Sequence, residues 1–256
     1  MEPVFGALGG GVKGARHVLT LGVNLLYPPA CLACDAPVTE NGALCPSCWA
    51  DTPFNTGLSC DLCGAPLAGG IEDAPVRCDD CQHTARPWSH GRAALVYGAT
   101  ARALVLGLKH ADRLEIAAPA GQWMARAVAP LIRADTLIAP VPLHRLRLFR
   151  RRYNQSALLA AALGRALQRP HCPDLLRRNR ATDSQDGRSR EGRFQNLRGA
   201  IVANPPRAAR IEGRHILLVD DVMTSGATLA AATEACYQAG ADDVDVVVLA
   251  RVTRGE

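Results

Sequence analysis

The sequence predicts an α/β protein with an open, mainly parallel sheet, preceded by a small cysteine-rich module. Three observations carry that expectation. Eight of the ten cysteines fall between Cys31 and Cys81, and only Cys172 and Cys236 lie outside. From Arg92 onward, short apolar runs alternate with longer Ala/Leu-rich runs of helical period, the pattern of strand–helix units that build parallel sheets. Two of the apolar runs, 215–220 and 244–251, read as strands buried on both faces.

The chain has 256 residues, enough for one large domain or two modest ones. Apolar residues are 48% and charged residues 21%, the ordinary globular range, which excludes wholesale disorder. Aromatics reach only 4%, so the core is aliphatic. No apolar run attains the ~18 residues of a membrane span. Residues 18–34 are uncharged and follow Lys13 and Arg16, in imitation of a secretory signal peptide. Pro28 and Pro29 interrupt the run, and no clean cleavage site precedes the cysteines. Residues 1–28 are instead expected to form a helix with a glycine-rich start, with Val18, Leu21 and Leu25 on one face.

The clustered cysteines read Cys31-Leu-Ala-Cys34, Cys45-Pro-Ser-Cys48, Cys60-Asp-Leu-Cys63 and Cys78-Asp-Asp-Cys81. Two cysteines three apart put both sulfurs on one ion in a tight knuckle. Two knuckles supply the tetrahedron of thiolates that zinc prefers. Four knuckles predict two closed, structural zinc sites. Gly64 follows Cys63, where the knuckle calls for a positive φ. Sequential pairing groups Cys31, Cys34, Cys45 and Cys48 on one ion and Cys60, Cys63, Cys78 and Cys81 on the other. Cross-braced pairing is the other arrangement the spacing allows. Redox use of a C-x-x-C, or an iron–sulfur cluster, explains four regular pairs less well. His83 and His90 read as solvated. Metal-ligating thiols imply the cytoplasm. Segment 29–90 lacks the apolar surface to fold alone, so metal holds it.

Further along, 93–97 reads as a strand, and 101–108 and 116–129 as helices, with Pro119 acceptable only in a first turn. A strand over 136–141 ends at Pro142, and 153–168 is a strong helix. After the strand at 215–220 comes a helix over 226–239, stopped by Gly240, and then the strand over 244–251. Asn204-Pro-Pro206 signals a loop. The expected organisation is an amino-terminal helix (1–28), a double zinc ribbon (29–90) and an α/β domain (91–256).

The most informative run is Ile216-Leu-Leu-Val-Asp-Asp-Val-Met-Thr-Ser-Gly-Ala-Thr228. A strand delivers Asp220 and Asp221 to its carboxyl end, where ligands of open α/β sheets bind. Val222 and Met223 follow, and then Thr224, Ser225, Gly226, Ala227 and Thr228 open a helix. Backbone amides and hydroxyls there can surround an anion. Carboxylates beside an anion site point to a ligand with a phosphate and sugar hydroxyls.

This run resembles the 5-phosphoribosyl 1-diphosphate (PRPP) signature of type I phosphoribosyltransferases. The resemblance implies that Asp220 and Asp221 meet the ribose and that residues 222–228 enclose the 5′-phosphate. Lys109 in Leu106-Gly-Leu-Lys-His110, Val141, Pro142 and Leu143 after the strand, and Arg151 and Asn154 in Arg151-Arg-Tyr-Asn-Gln155 extend the match. Together with the cysteine knuckles they resemble the ComF family, which is associated with natural transformation. The resemblance implies a phosphoribosyltransferase-like domain that binds PRPP with Mg2+. Lys109, residues 141–143, Arg151 and Asn154 would hold pyrophosphate, and Asp220 and Asp221 would act on the ribose. Arg152 departs from the glycine frequent in the family, and Ile201 from an aromatic.

Of 29 basic residues only Lys13 and Lys109 are lysine, leaving 27 arginines. Twelve of them crowd into 145–152 and 177–198, where guanidinium forks suit either pyrophosphate or a nucleic-acid backbone. Lys109 and His110 close a helix, where the lysine is either a capping cation or an anion ligand. The polar run 180–196 reads as an exposed loop or a lid. Two functions compete. One is a pentosyl transferase whose acceptor the sequence does not define. The other is a non-catalytic accessory that binds a nucleotide-like molecule, single-stranded DNA or a helicase-like partner.

Overall fold

The computed structural model describes residues 28–70, 75–110, 112–143, 153–180, 197 and 199–253. The expected amino-terminal helix, Arg151 with the rest of 144–152, and 181–196 lie outside the described residues.

The two ribbons are built alike. In each, the first knuckle is a turn closed by an antiparallel bridge, Ala30 to Pro37 and Ser59 to Pro66. In each, the second knuckle is one turn of helix begun by its own cysteine. Cys45 caps α1 (Pro46–Ala50), and Cys78 caps α2 (Asp79–His83). Gly64 has φ +65°, as the knuckle requires, and Asp35 takes the equivalent place in the first ribbon at φ +62°.

Strands β1 (Gly91–Val96), β2 (Leu137–Pro140), β5 (His215–Met223) and β6 (Asp243–Arg251) form one sheet, ordered β1-β6-β5-β2 and parallel throughout. Helices α3 (Ala99–His110), α4 (Ala117–Val128) and α5 (Gln155–Leu167) cover one face with the Leu217, Val219, Val247 and Leu249 side chains. Helix α6 (Ala227–Gln238) covers the other, against Ile216, Leu218, Val246 and Val248. Alternate residues of the central strands thus feed opposite cores, as period-two geometry dictates. The second ribbon is part of that second core, since Cys60, Cys63 and Cys81 share the cluster with Trp88 and Met223. The strand β1 edge is covered by the ribbon linker: Asn55 N donates to Ala94 O at 2.9 Å and Val96 N to Pro53 O at 2.9 Å.

Every expected strand and helix from residue 93 onward is present, with ends displaced by at most three residues. The main displacement is informative. Strand β5 continues past Asp220 through Met223, because Val222 and Met223 still pair with Ala250 and Arg251 of β6. The sequence reading missed β3 (Leu176–Arg178) and β4 (Ile201–Ala203), a short antiparallel pair. Strands of three residues are too short to carry a usable periodicity. A 3-10 turn, Pro205–Arg210, fills the expected Asn204-Pro-Pro206 loop. His90 is partly solvated, as expected, and its backbone N–H and its ring also both reach Asp245, at 2.8 and 3.1 Å.

Helices α4 and α5 meet where Gly121 faces Ala162; a Cβ there would lie 2.6 Å from the Ala162 Cβ and 2.8 Å from its carbonyl carbon. Gly121→Ala is therefore expected to destabilise the chain by about 1–3 kcal/mol despite its better helix propensity. Urea unfolding that shows no loss would refute this contact.

Candidate functional site

The carboxyl end of β5 brings together residues far apart in sequence. Lys109, at the end of α3, places Nζ 3.1 Å from Asp221 Oδ1. Ser156, in the first turn of α5, donates to Asp220 Oδ1 at 2.8 Å, and the Asp221 backbone N–H donates to the same oxygen at 2.9 Å. Asn154 caps α5 through the Ser156 N–H and donates to the Val141 carbonyl at 3.0 Å. Val141 N in turn donates to Val219 O at 2.9 Å, which ties the segment after β2 to β5. Tyr153 Oη donates to Leu108 O at 3.0 Å and links the end of α3 to the start of α5. Lys109, Val141, Asn154, Asp220 and Asp221 are thus connected, with Pro142 buried and Leu143 partly buried just beyond Val141. Arg151 lies outside the described residues.

Two adjacent carboxylates make this strand end electrostatically tense. Burial first, and the Asp221 charge second, push the Asp220 carboxyl up to about 7; Ser156, the Asp221 amide and Lys109 pull it down.

Residues 224–228 follow directly. Gly226, at φ +80°, precedes α6, and Ala227 N reaches Ser225 Oγ at 3.4 Å. Thr224 is exposed, Ser225 buried and Thr228 partly buried. Three successive carbonyls of this loop are held from below. Arg251 Nη1 donates to Met223 O at 3.1 Å and to Thr224 O at 2.9 Å, and Arg86 Nη1 donates to Ser225 O at 2.5 Å. In a planar trans peptide the next N–H points opposite to the carbonyl. The amides of Thr224, Ser225 and Gly226 therefore face away from the arginines, as an anion nest requires.

Sequence reasoning missed Ser156, Arg86 and Arg251. Ser156 follows Asn154 at a helix start and Arg251 ends an apolar strand beside β5; either position offered a signal. Arg86, in an irregular segment, offered none.

The eight cysteines form two sets, Cys31, Cys34, Cys45, Cys48 and Cys60, Cys63, Cys78, Cys81, each with all sulfurs within 4.8 Å of one another. The pairing is sequential. Tetrahedral zinc with bonds of ~2.3 Å separates its sulfurs by about 3.8 Å. Cys34 and Cys45 sulfurs stand 3.7 Å apart, and Cys63 and Cys78 sulfurs 3.6 Å, so the residues fit zinc. Cys45 N also donates to the Cys31 sulfur at 3.2 Å, as amides do to thiolates in knuckles. The sites differ in setting. Cys34 is exposed, whereas Cys60 and Cys63 are fully buried.

Two predictions follow from this geometry. Elemental analysis should return two zinc ions per chain. Cys60→Ser with Cys63→Ser should lower Tm more than Cys31→Ser with Cys34→Ser, because the second site lies in the core. The second concerns Asp220, whose folded pKa of about 7 exceeds its ordinary 3.8. The folded state then binds more protons between those values, so stability falls as pH rises through that window. Asp220→Asn keeps an oxygen acceptor for Ser156 and removes the charge. It should be about 1–3 kcal/mol more stable than wild type at pH 8, with the advantage shrinking as pH falls below 7. Urea unfolding at several pH values checks this, and a pH-independent difference would refute it.

Sequence comparisons agree with the architecture. Residues 22–82 match the double zinc ribbon domain family, and residues 155–256 match the phosphoribosyl transferase domain family. The DNA utilization protein YhgH of Shigella flexneri is 31% identical over 234 residues, covering 89% of this chain and 99% of that protein. Competence protein F of Haemophilus influenzae is 37% identical over 114 residues, 44% of this chain and 49% of its own. Among solved structures, a glutamine PRPP amidotransferase from B. subtilis is similar over 56% of this chain and 30% of its own, at 19% identity and a TM-score of 0.38. Among the described residues no helix is long and apolar enough to cross a membrane. The knuckles, the parallel sheet and a full-length relative at this identity lead to one conclusion: the chain belongs to the ComF/YhgH family of double zinc ribbon, phosphoribosyltransferase-domain proteins.

Proposed function

We propose that this chain binds PRPP with Mg2+ at the carboxyl end of β5 and transfers the phosphoribosyl group to a nitrogen acceptor, in the handling of DNA-derived material. The observation that carries the reading is the juxtaposition of a carboxylate pair, a lysine and an arginine-backed amide nest at one strand end. Family membership supports it, and the relatives' names supply the link to DNA use and competence.

In this reading the 5′-phosphate rests on the amides of 224–226 and the hydroxyls of Thr224, Ser225 and Thr228. Asp220 and Asp221 accept hydrogen bonds from the ribose hydroxyls. Lys109, beside Asp221, meets the pyrophosphate with Asn154, the 141–143 backbone and Arg151. As the C1′–O bond breaks, its electrons leave on pyrophosphate, whose charge these donors neutralise. Positive charge develops on the ribose ring, and the carboxylates stabilise it. The acceptor nitrogen then bonds to C1′. Mg2+, a hard ion suited to substrate phosphates and few protein oxygens, supplies further charge neutralisation. Asp220 and Asp221 offer the oxygens that fit it. Residues 1–28, 29–90 and 91–256 are proposed as helix, zinc module and transferase domain.

The test is calorimetric titration with PRPP and Mg2+, followed by turnover with a panel of nucleobases and amines. Wild type should bind, and Asp220→Ala with Asp221→Ala should bind at least about tenfold more weakly, the scale of losing charge-assisted hydrogen bonds. Equal binding by the double variant would overturn the site. Release of pyrophosphate with one acceptor class would identify the enzyme; binding without any turnover would make the chain a PRPP sensor. Fluorescence anisotropy with a labelled single-stranded oligonucleotide tests direct DNA contact, which should weaken steeply with salt.

A further inference from the structure

The second zinc site lies directly beneath the amide nest, and two buried arginines stand between them. Arg251 is 3% exposed and Arg86 9% exposed. Each uses one terminal nitrogen on the loop: Arg251 Nη1 on the Met223 and Thr224 carbonyls, Arg86 Nη1 on that of Ser225. Arg251 also lines one cavity together with Cys78. Arg86 lies five residues beyond Cys81, its guanidinium over the Trp88 ring at 5.5 Å. Trp88 itself is pinned to the knuckle, with its Nε1–H donating to Leu62 O at 2.6 Å. The space between is filled. A Cβ on Gly226 would meet Arg86 Nη1 at 2.7 Å and Trp88 Cη2 at 3.0 Å.

The remaining guanidinium nitrogens explain why arginine stands here. Arg86 Nε and Nη2 and Arg251 Nε are buried without a hydrogen-bond partner. Buried donors of this kind are costly unless a charge faces them. Four thiolates around one Zn2+ leave a net double negative charge beside two guanidinium cations. Arg251 is a side-chain neighbour of Cys63, and Arg86 of Cys81.

We infer that Arg86 and Arg251 are positioning residues through which the second zinc site sets the conformation of the 223–226 loop, so that zinc at Cys60, Cys63, Cys78 and Cys81 and an anion on the loop stabilise one another. The inference deepens the PRPP reading and rests on it for the identity of the anion. The zinc-bound thiolates hold the two cations, the cations hold the three carbonyls, and the carbonyls aim the amides. The coupling is reciprocal by thermodynamic necessity.

The experiment compares the zinc-loaded wild type with Arg86→Gln and the conservative Arg86→Lys. The first readout is amide hydrogen exchange of residues 224–228 with no ligand present. Exchange should be faster by about fivefold or more in Arg86→Gln, the lower end of typical coupling, with partial recovery in Arg86→Lys. The second is the rate at which a chelator removes zinc from the second site, measured with and without PRPP and Mg2+. PRPP should slow release by a similar factor in wild type and not in Arg86→Gln. Serine variants at Cys31 and Cys34, which empty the first site, should leave the loop unchanged. If Arg86→Gln does not fold, Cys78→Ser provides the same loop comparison from the zinc side. Unchanged loop exchange in every variant would overturn the inference, even if PRPP binds. Failure of wild type to bind PRPP would overturn the functional reading instead, while the ligand-free exchange comparison still decides the coupling.

Discussion

The structure depends on a constraint at one point: two adjacent carboxylates lie at the partly buried end of the strand that runs through the middle of the sheet. Like charges this close cannot both stay ionised without compensation. The chain supplies a cation from α3, a hydroxyl from α5 and a backbone amide from the strand itself. Each comes from a different segment, so the order of the sheet and the helix positions must all be right for the pair to survive. Compensation is incomplete, since Asp220 still titrates far above an ordinary carboxyl. A site left in this state has a residual demand for positive charge and hydrogen-bond donors.

The zinc ribbons are not an appendage to this arrangement. Small segments with few apolar residues gain stability from metal rather than from burial. Here the second ribbon contributes its sulfurs to the same core as α6 and β5. The fit is close in both directions. A Cβ on Gly64 would stand 2.5 Å from Ala93 N, and one on Gly91 2.3 Å from Leu62 O. Knuckle and strand β1 therefore meet backbone to backbone, and the Arg92–Asp61 pair at 2.8 Å closes the rim. The first ribbon makes a lighter contact through Leu32 on the opposite face, with a Trp49–Phe54–Trp123 aromatic group beside it. That group places three of the scarce aromatics where ribbon and helix α4 meet.

Local signals made much of this legible. Spacing alone located both sulfur sets, and only their pairing needed the fold. Apolar runs located the four strands of the main sheet, because strands buried on both faces leave no polar interruption. The Asp-Asp run put both acids near the carboxyl end of β5, although the strand itself runs on through Met223. Lys109 was ambiguous in sequence between helix cap and anion ligand. The structure pairs it with Asp221. Its partner is 112 positions away, and no local pattern encodes that pairing. The same limit hid Arg86, whose role exists only once ribbon and loop are stacked. It also hid β3 and β4, whose pairing joins segments separated by the polar run 181–196.

The two ends of the sheet show where chemistry is possible. At the amino end, Thr136 Oγ1, His215 and Asp245 form a hydroxyl–imidazole–carboxylate chain, with contacts of 2.8 and 3.0 Å. The connectivity is that of a nucleophile relay, yet all three residues are fully buried and both His215 ring nitrogens are engaged. Asp245 is completed by the His90 amide and ring. A buried network with every partner in place rigidifies a fold and does nothing further. At the carboxyl end the polar groups are close but mismatched: two acids share one lysine, and a row of amides is turned outward by arginines held beneath it. Perturbed acids in an accessible crevice mark functional sites more often than saturated ones do. The same sheet therefore uses its polar residues in two ways, closing one end completely and leaving charges and donors at the other end only partly matched.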